Sequence, residues 1–85
     1  MIFISFYTTT HIMQSEKVAK AQGLPVTMMP TPRSIGGSCS LSLRFDGEDP
    51  KADGMALFDR LTVPCTLYHL EEGNPQVLAD KREEQ

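Results

Sequence analysis

Cys39-Ser40-Leu41-Ser42-Leu43-Arg44-Phe45 alternates without a break. Cys39, Leu41, Leu43 and Phe45 fall on one side of an extended chain, and Ser40, Ser42 and Arg44 on the other. A period of two with an apolar and a polar side is the pattern of a strand buried on one face. This strand therefore belongs to a sheet covered on one side, and the flanking segments must supply both the other strands and the cover.

Upstream, Ile2-Phe3-Ile4-Ser5-Phe6-Tyr7 is β-branched and aromatic and predicts a first strand. The Thr8-Thr9-Thr10 run offers N-cap hydroxyls. A helix is expected from His11 to Gln22, with Ile12, Ser15, Val18/Ala19 and Gln22 at helical spacing and Gly23 at the C′ position. Val26 to Met29 predicts a second strand, closed by Pro30-Thr31-Pro32, and Arg33 to Ser38 a loop.

Downstream, Asp49-Pro50 reads as an N-cap followed by proline at N1. Ala52, Met55/Ala56, Phe58 and Leu61 predict a helical stripe, weakened by Gly54 at about 1 kcal/mol relative to alanine. Pro64 to Leu70 predicts a fourth strand. Glu72-Gly73-Asn74 would turn the chain into a short fifth strand at Gln76–Leu78. The order βαββαβ predicts an α+β, ferredoxin-like sandwich: a four-stranded antiparallel sheet, strand order 4-1-3-2, with two helices on one face. Residues 1–79 are expected to form this single domain and residues 80–85 a solvated tail.

Eighty-five residues suit one thin-cored domain, since a chain of this size buries roughly 60–65% of its unfolded surface. With 40% hydrophobic and 22% charged residues, the chain is neither a disordered nor a membrane composition. Met1–Tyr7 is far short of the ~20 apolar residues a membrane helix needs, and it lacks the flanks of a signal peptide. Two cysteines do not make a disulfide scaffold, so a cytoplasmic location with reduced thiols is expected. A net charge of -3 argues against nucleic-acid binding through the phosphate backbone. Arg44 and two serines also stand where a stacking sheet would carry aromatic rings.

In the expected topology the end of strand 1, the start of the first helix, the loop before strand 3 and the start of strand 3 gather at one end. That end collects Thr10, His11, Arg33, Gly36, Gly37, Ser38 and Cys39. A helix N-terminus, an arginine and a glycine pair able to turn its amides inward favour an anion. A thiol there would have a pKa below the free value of about 8.5 and would react as thiolate. The same position also suits Cys39 as a small core residue.

Cys65 would start strand 4 about 9–10 Å from Cys39, beyond the ~7 Å that a disulfide tolerates, and reads as packing. Cys65 and His69 are about 13 Å apart along one strand, and no zinc spacing exists, so no metal and no cofactor is expected. Phe3 and Tyr7 alternate onto the uncovered face, which predicts a homodimer burying part of that face or pairing a sheet edge.

The run from His11 to Val26, with Glu16-Lys17, Lys20, Gly23-Leu24-Pro25-Val26, resembles an H-x-x-x-x-E-K-x-x-K-x-x-G-[IL]-P-V pattern. Pro30-Thr31-Pro32-Arg33, Ile35, Ser38-Cys39 and Leu43-Arg44-Phe45 resemble its companion P-T-P-R…S-C…R-F signature. Both are similar to a small bacterial family described as putative selenium/sulfur carrier protein-like, over nearly all of the chain to about Leu70. Two positions depart from it: Ser40 stands where many members have glycine, and Thr10 where many have a first histidine. The resemblance implies a cysteine that carries sulfur or selenium as a persulfide or selenosulfide. Carried over, that is Cys39, with Arg33 and Ser38 in its loop. It implies a carrier more than an enzyme, with sulfur or selenium donor and acceptor proteins as partners. The alternative from another class is a non-catalytic interaction or dimerisation module.

Overall fold

The computed structural model describes residues 1–33, 35 and 41–81. Its elements are β1 (Ile2–Phe6), α1 (Thr9–Ala21), β2 (Val26–Pro30), β3 (Leu41–Phe45), α2 (Pro50–Arg60), β4 (Cys65–Glu71) and β5 (Asn74–Lys81). They form an α+β fold with one antiparallel sheet in the order β2-β3-β1-β4-β5. The inner succession 2-3-1-4 is the one expected; the four-stranded expectation is corrected to five. Glu72 and Gly73 both take left-handed backbone, φ 52° and 81°, which makes a two-residue turn matched to the twist of a hairpin. Every β4 residue from Cys65 to Glu71 then finds a partner between Lys81 and Asn74, with Leu78 bulged out opposite the Leu67/Tyr68 step.

β5 therefore includes Asp80 and Lys81, which the sequence assigns to the tail. Lys81 is tied down: its Nζ donates to the carbonyls of Phe58 at 2.7 Å and Leu61 at 2.6 Å, at the C-terminus of α2. It also lies 4.5 Å from the Phe58 ring centroid. A lysine at a helix C-terminus satisfies orphan carbonyls and complements the dipole, so backbone and cap chemistry hold a strand that hydropathy does not mark.

Both helices start where their caps are. The Thr8 side chain accepts from the His11 amide at 3.1 Å, and the Asp49 carboxylate from the Ala52 amide at 3.2 Å. α1 closes with the Leu24 amide returning to the Ala19 carbonyl at 2.9 Å. Its buried stripe is thin: Ile12, Ser15 and Ala19.

The α2 stripe is shifted from the expected one. Gly54, Leu57, Phe58 and Leu61 are buried, while Ala52, Met55 and Ala56 are exposed. The reason is the glycine itself. A Cβ on Gly54 would lie 3.0 Å from Leu67 Cδ1 and 3.1 Å from Ile2 Cγ2, so α2 rests on the sheet at the one position without a side chain. The core joins these residues to Ile12 and Ala19 of α1 and to Ile2, Ile4, Phe6, Leu43, Phe45, Cys65 and Leu67 of the sheet.

The other sheet face is not the open aromatic patch expected. On it Thr27, Arg44, Phe3, Tyr68 and Val77 lie level across the five strands. Phe3 is 0% exposed. Tyr68 stacks on it, with ring centroids 5.3 Å apart and planes at 22°. Tyr7 alone of the two rings named for a dimer is solvated, at 48%. Strand parity assigns a face but not a depth, and a neighbouring tyrosine covers what parity leaves open.

Candidate functional site

Four strands and the first helix meet at one end of the sheet. The register places Ser5 opposite Ser42, Phe6 opposite Cys65, and Pro30 opposite Leu41. The end of β1, the starts of β3 and β4 and the end of β2 therefore share that end, and α1 begins there three residues after Phe6. The first helical turn keeps Thr8 as its cap, so the His11 amide is already satisfied. Thr10 is exposed on this turn. His11 is half-buried, and its Nδ1 is enclosed with no hydrogen-bond partner among the described residues.

The long β2–β3 connection, residues 31–40, leaves from the same end. Arg33 is exposed, and the chain turns there, with the Ile35 amide donating to the Pro32 carbonyl at 3.1 Å. Gly36, Gly37, Ser38 and Cys39 lie outside the described residues, as do Ser34 and Ser40. The expected anion-stabilising set is thus brought to one end as far as Thr10, His11 and the root of the Arg33 loop.

Sequence reasoning missed the root itself. Thr31 Oγ1 and Ser42 Oγ are 2.7 Å apart, and Ser42 is fully buried. The ladder between β2 and β3 ends at Pro30 opposite Leu41, and from one residue further on Thr31 reaches back diagonally to Ser42, which pairs with Met29. The available signals were a threonine held between two prolines and a serine on the polar side of a strand. Neither identifies the partner of the other.

Cys65 behaves as a core thiol. It is 0% exposed, and burial pushes its pKa up to about 11, against an opposing pull from Lys81 and with a smaller push from Asp80. The neutral thiol is inert as a nucleophile. His69 is half-buried and pairs with Ile2 and Gln76. Among the described residues, no three His, Cys, Asp or Glu side chains are grouped to hold a metal ion. Nor, among these residues, is any helix long and apolar enough to cross a membrane.

Fold and site together define a small α+β protein with a ten-residue β2–β3 connection, in whose sequence Cys39 lies. A family model described as Putative Se/S carrier protein-like matches residues 1–53. That span is more than half of the chain and includes every candidate site residue, and the chain belongs to this family. The match ends within α2, past the last motif residue, Phe45, and short of the Leu70 expected as the extent of the resemblance. No curated protein and no solved structure matches the chain.

Proposed function

We propose that the protein is a carrier of sulfur or selenium that uses Cys39 as its thiolate, working in the reducing cytoplasm between a donor and an acceptor protein. The observation that carries this reading is the family match over residues 1–53, which contains the Arg33…Ser38-Cys39 motif. In the first step the Cys39 thiolate attacks the outer sulfur of a donor persulfide. A new S–S bond forms at Cys39, the donor's own S–S bond breaks, and the donor leaves as thiolate. In the second step an acceptor nucleophile takes the outer sulfur, and the bond electrons return to Cys39. Selenium follows the same path from a perselenide. No net oxidant is consumed.

The helix start, Arg33 and the amides of Gly36, Gly37 and Ser38 favour the anionic forms in this reading. The succession β2-β3-β1-β4 with two helices supports a ferredoxin-like arrangement, extended at one edge by β5. Cys65 takes no part. Leu41 and Cys65 stand on the two strands flanking β1, about 10 Å apart at ordinary strand spacing, and the Cys65 thiol is buried. The competing interaction-module reading loses its main anchor on the face away from the helices, because Phe3 is already covered within the chain.

Intact-mass measurement tests the carrier. After incubation with a small-molecule persulfide, and separately with its perselenide counterpart, the wild-type chain gains one sulfur or one selenium atom and Cys39→Ser gains neither. An unchanged wild-type mass with both donors rejects the carrier function.

A further inference from the structure

Between α1 and the end of α2 lies a cleft of about 90 Å³, and one of the residues lining it is out of place in a core. Ser15 stands on the buried stripe of α1 between Ile12 and Ala19 and is 1% exposed. A serine inside a helix and away from water ordinarily returns its hydroxyl to a carbonyl one turn back. The Ser15 hydroxyl does not: it is enclosed, with no hydrogen-bond partner among the described residues. Alanine would fill the same stripe without leaving a polar group unsatisfied. We propose that the cleft is a binding site for a small carboxylate of about two to four carbons, with Ser15 at its floor and Arg60 at its mouth.

The chemistry of the lining selects this ligand. Arg60, in the last turn of α2, is exposed and forms no ion pair among the described residues. Thr62, also exposed, adds a second hydroxyl. No carboxylate lines the cleft, so each of its polar side chains can donate to an anion. Val18 and Val63 supply an apolar wall, which suits a short alkyl stem better than a tetrahedral oxyanion. The C-terminus of a helix would by itself repel an anion. Here the Lys81 ammonium covers the Phe58 and Leu61 carbonyls at that terminus and offsets their partial negative charge. The volume is that of about three waters at ~30 Å³ each, room for roughly five heavy atoms. Ligands of this size bind at about millimolar Kd. The site is independent of the carrier reading, since Cys39 has no part in it.

The test is a titration with sodium propionate at constant ionic strength, followed by two-dimensional amide NMR and by Tm. Saturable shifts are expected at residues 14–18 and 60–63, with a rise in Tm, because a ligand that binds only the folded chain stabilises it. Propionamide has the same shape without the charge and is expected to bind about ten-fold more weakly, as is propionate to Arg60→Gln. Ser15→Ala should weaken propionate about three- to ten-fold, the range of one net hydrogen bond. Without ligand, Ser15→Ala should melt no lower than wild type, since alanine favours the helix and leaves no orphan hydroxyl.

No saturation at about ten times the expected Kd overturns the site, and so does wild-type affinity in folded Arg60→Gln or Ser15→Ala. Sulfate or propionamide binding as tightly as propionate overturns the choice of a carboxylate. A lower Tm for unliganded Ser15→Ala would show the hydroxyl to be committed within the fold, and would remove the floor of the site. If Arg60→Gln does not fold, the propionamide and Ser15→Ala arms decide. Sulfur uptake by the wild-type chain is read separately, so the carrier and the cleft stand or fall apart.

Discussion

The two hairpins at the edges of the sheet are built in opposite ways. β4 and β5 are joined by two residues, Glu72 and Gly73, and every residue of β4 is paired. β2 and β3 pair over five residues and are joined by ten, residues 31–40. A two-residue turn is what antiparallel neighbours need. The β2–β3 connection therefore exceeds what the pairing requires, and the Arg33…Cys39 motif sits in that excess. The β4–β5 hairpin carries the other cysteine, Cys65, its thiol turned into the core and its partner strand fastened to α2 by Lys81. One hairpin is closed by the shortest turn; the other pairs over five residues and has ten between its strands. The contrast can be broken at several points.

The largest expected effect is all-or-none. Cys65→Ser should leave sulfur uptake intact, while Cys39→Ser abolishes it. The cost of Cys65→Ser appears in stability instead, about 1–3 kcal/mol, because a hydroxyl replaces a fully buried thiol with no designated partner. Mass and Tm on both variants read this out. Uptake lost in a folded Cys65→Ser variant would erase the division of labour between the hairpins.

The Cys65 thiol also makes stability fall at alkaline pH. Its pKa is raised from 9.0 to about 11 in the folded chain. Between those values the unfolded chain releases the proton and the folded chain keeps it, so unfolding becomes easier as pH rises. The stabilisation is fully present below about pH 9 and lost by about pH 11, roughly 2–3 kcal/mol in all. Urea titrations of wild type and Cys65→Ala across this window isolate the thiol. Parallel curves would mean that Cys65 is not held neutral.

Gly54→Ala follows in size. Helix propensity alone favours alanine by about 1 kcal/mol. The new Cβ would press on Leu67 and Ile2 at 3.0 and 3.1 Å, and overpacking a core costs about 1–3 kcal/mol. The expected net is a loss of Tm, since β1 and β4 lie at the centre of the sheet and yield little. A rise in Tm would show that α2 rides more loosely on the sheet than its contacts indicate.

These positions also show what the sequence makes legible. The alternation from Leu41 to Phe45, the Thr8 and Asp49 caps and the βαββ order are local patterns, and the inner strand order follows from them. The phase of the α2 stripe does not. Gly54 adds no apolar area, so periodicity passes over the residue that faces the core most closely. β5 is missed in length because Asn74, Pro75, Asp80 and Lys81 carry no hydrophobic alternation; the turn, the ladder and the Lys81 cap hold them. At the site, the Arg33…Cys39 motif is written in adjacent residues and is readable. The Thr31–Ser42 contact joins residues eleven apart through two hydroxyls, and no local pattern encodes it.

The smallest effect lies at the far end of the β2–β3 hairpin. Asp46 there accepts from the Thr27 hydroxyl of β2 and, at 2.7 Å, from Arg44 Nε of β3, and its amide donates to the Pro25 carbonyl at 2.9 Å. The Thr27 hydrogen bond first, then against it the effect of burial, and after that the Arg44 hydrogen bond and charge, leave its carboxyl below the ordinary carboxylate range. A depressed pKa in the folded chain means that the unfolded chain takes up the proton first on acidification. The stabilisation is therefore present above the unfolded carboxylate value of about 3.9, and fades as pH falls through the lower folded value. Because the group is exposed, solvent screens the pair and keeps the effect small. Asp46→Asn should flatten this part of the acid limb while leaving stability near pH 7 within a few tenths of a kcal/mol. The pH profile of Cys39 alkylation should not move, because Asp46 closes the hairpin at the end opposite Pro30 and Leu41. A shift in that profile would show the two ends of β3 to be coupled.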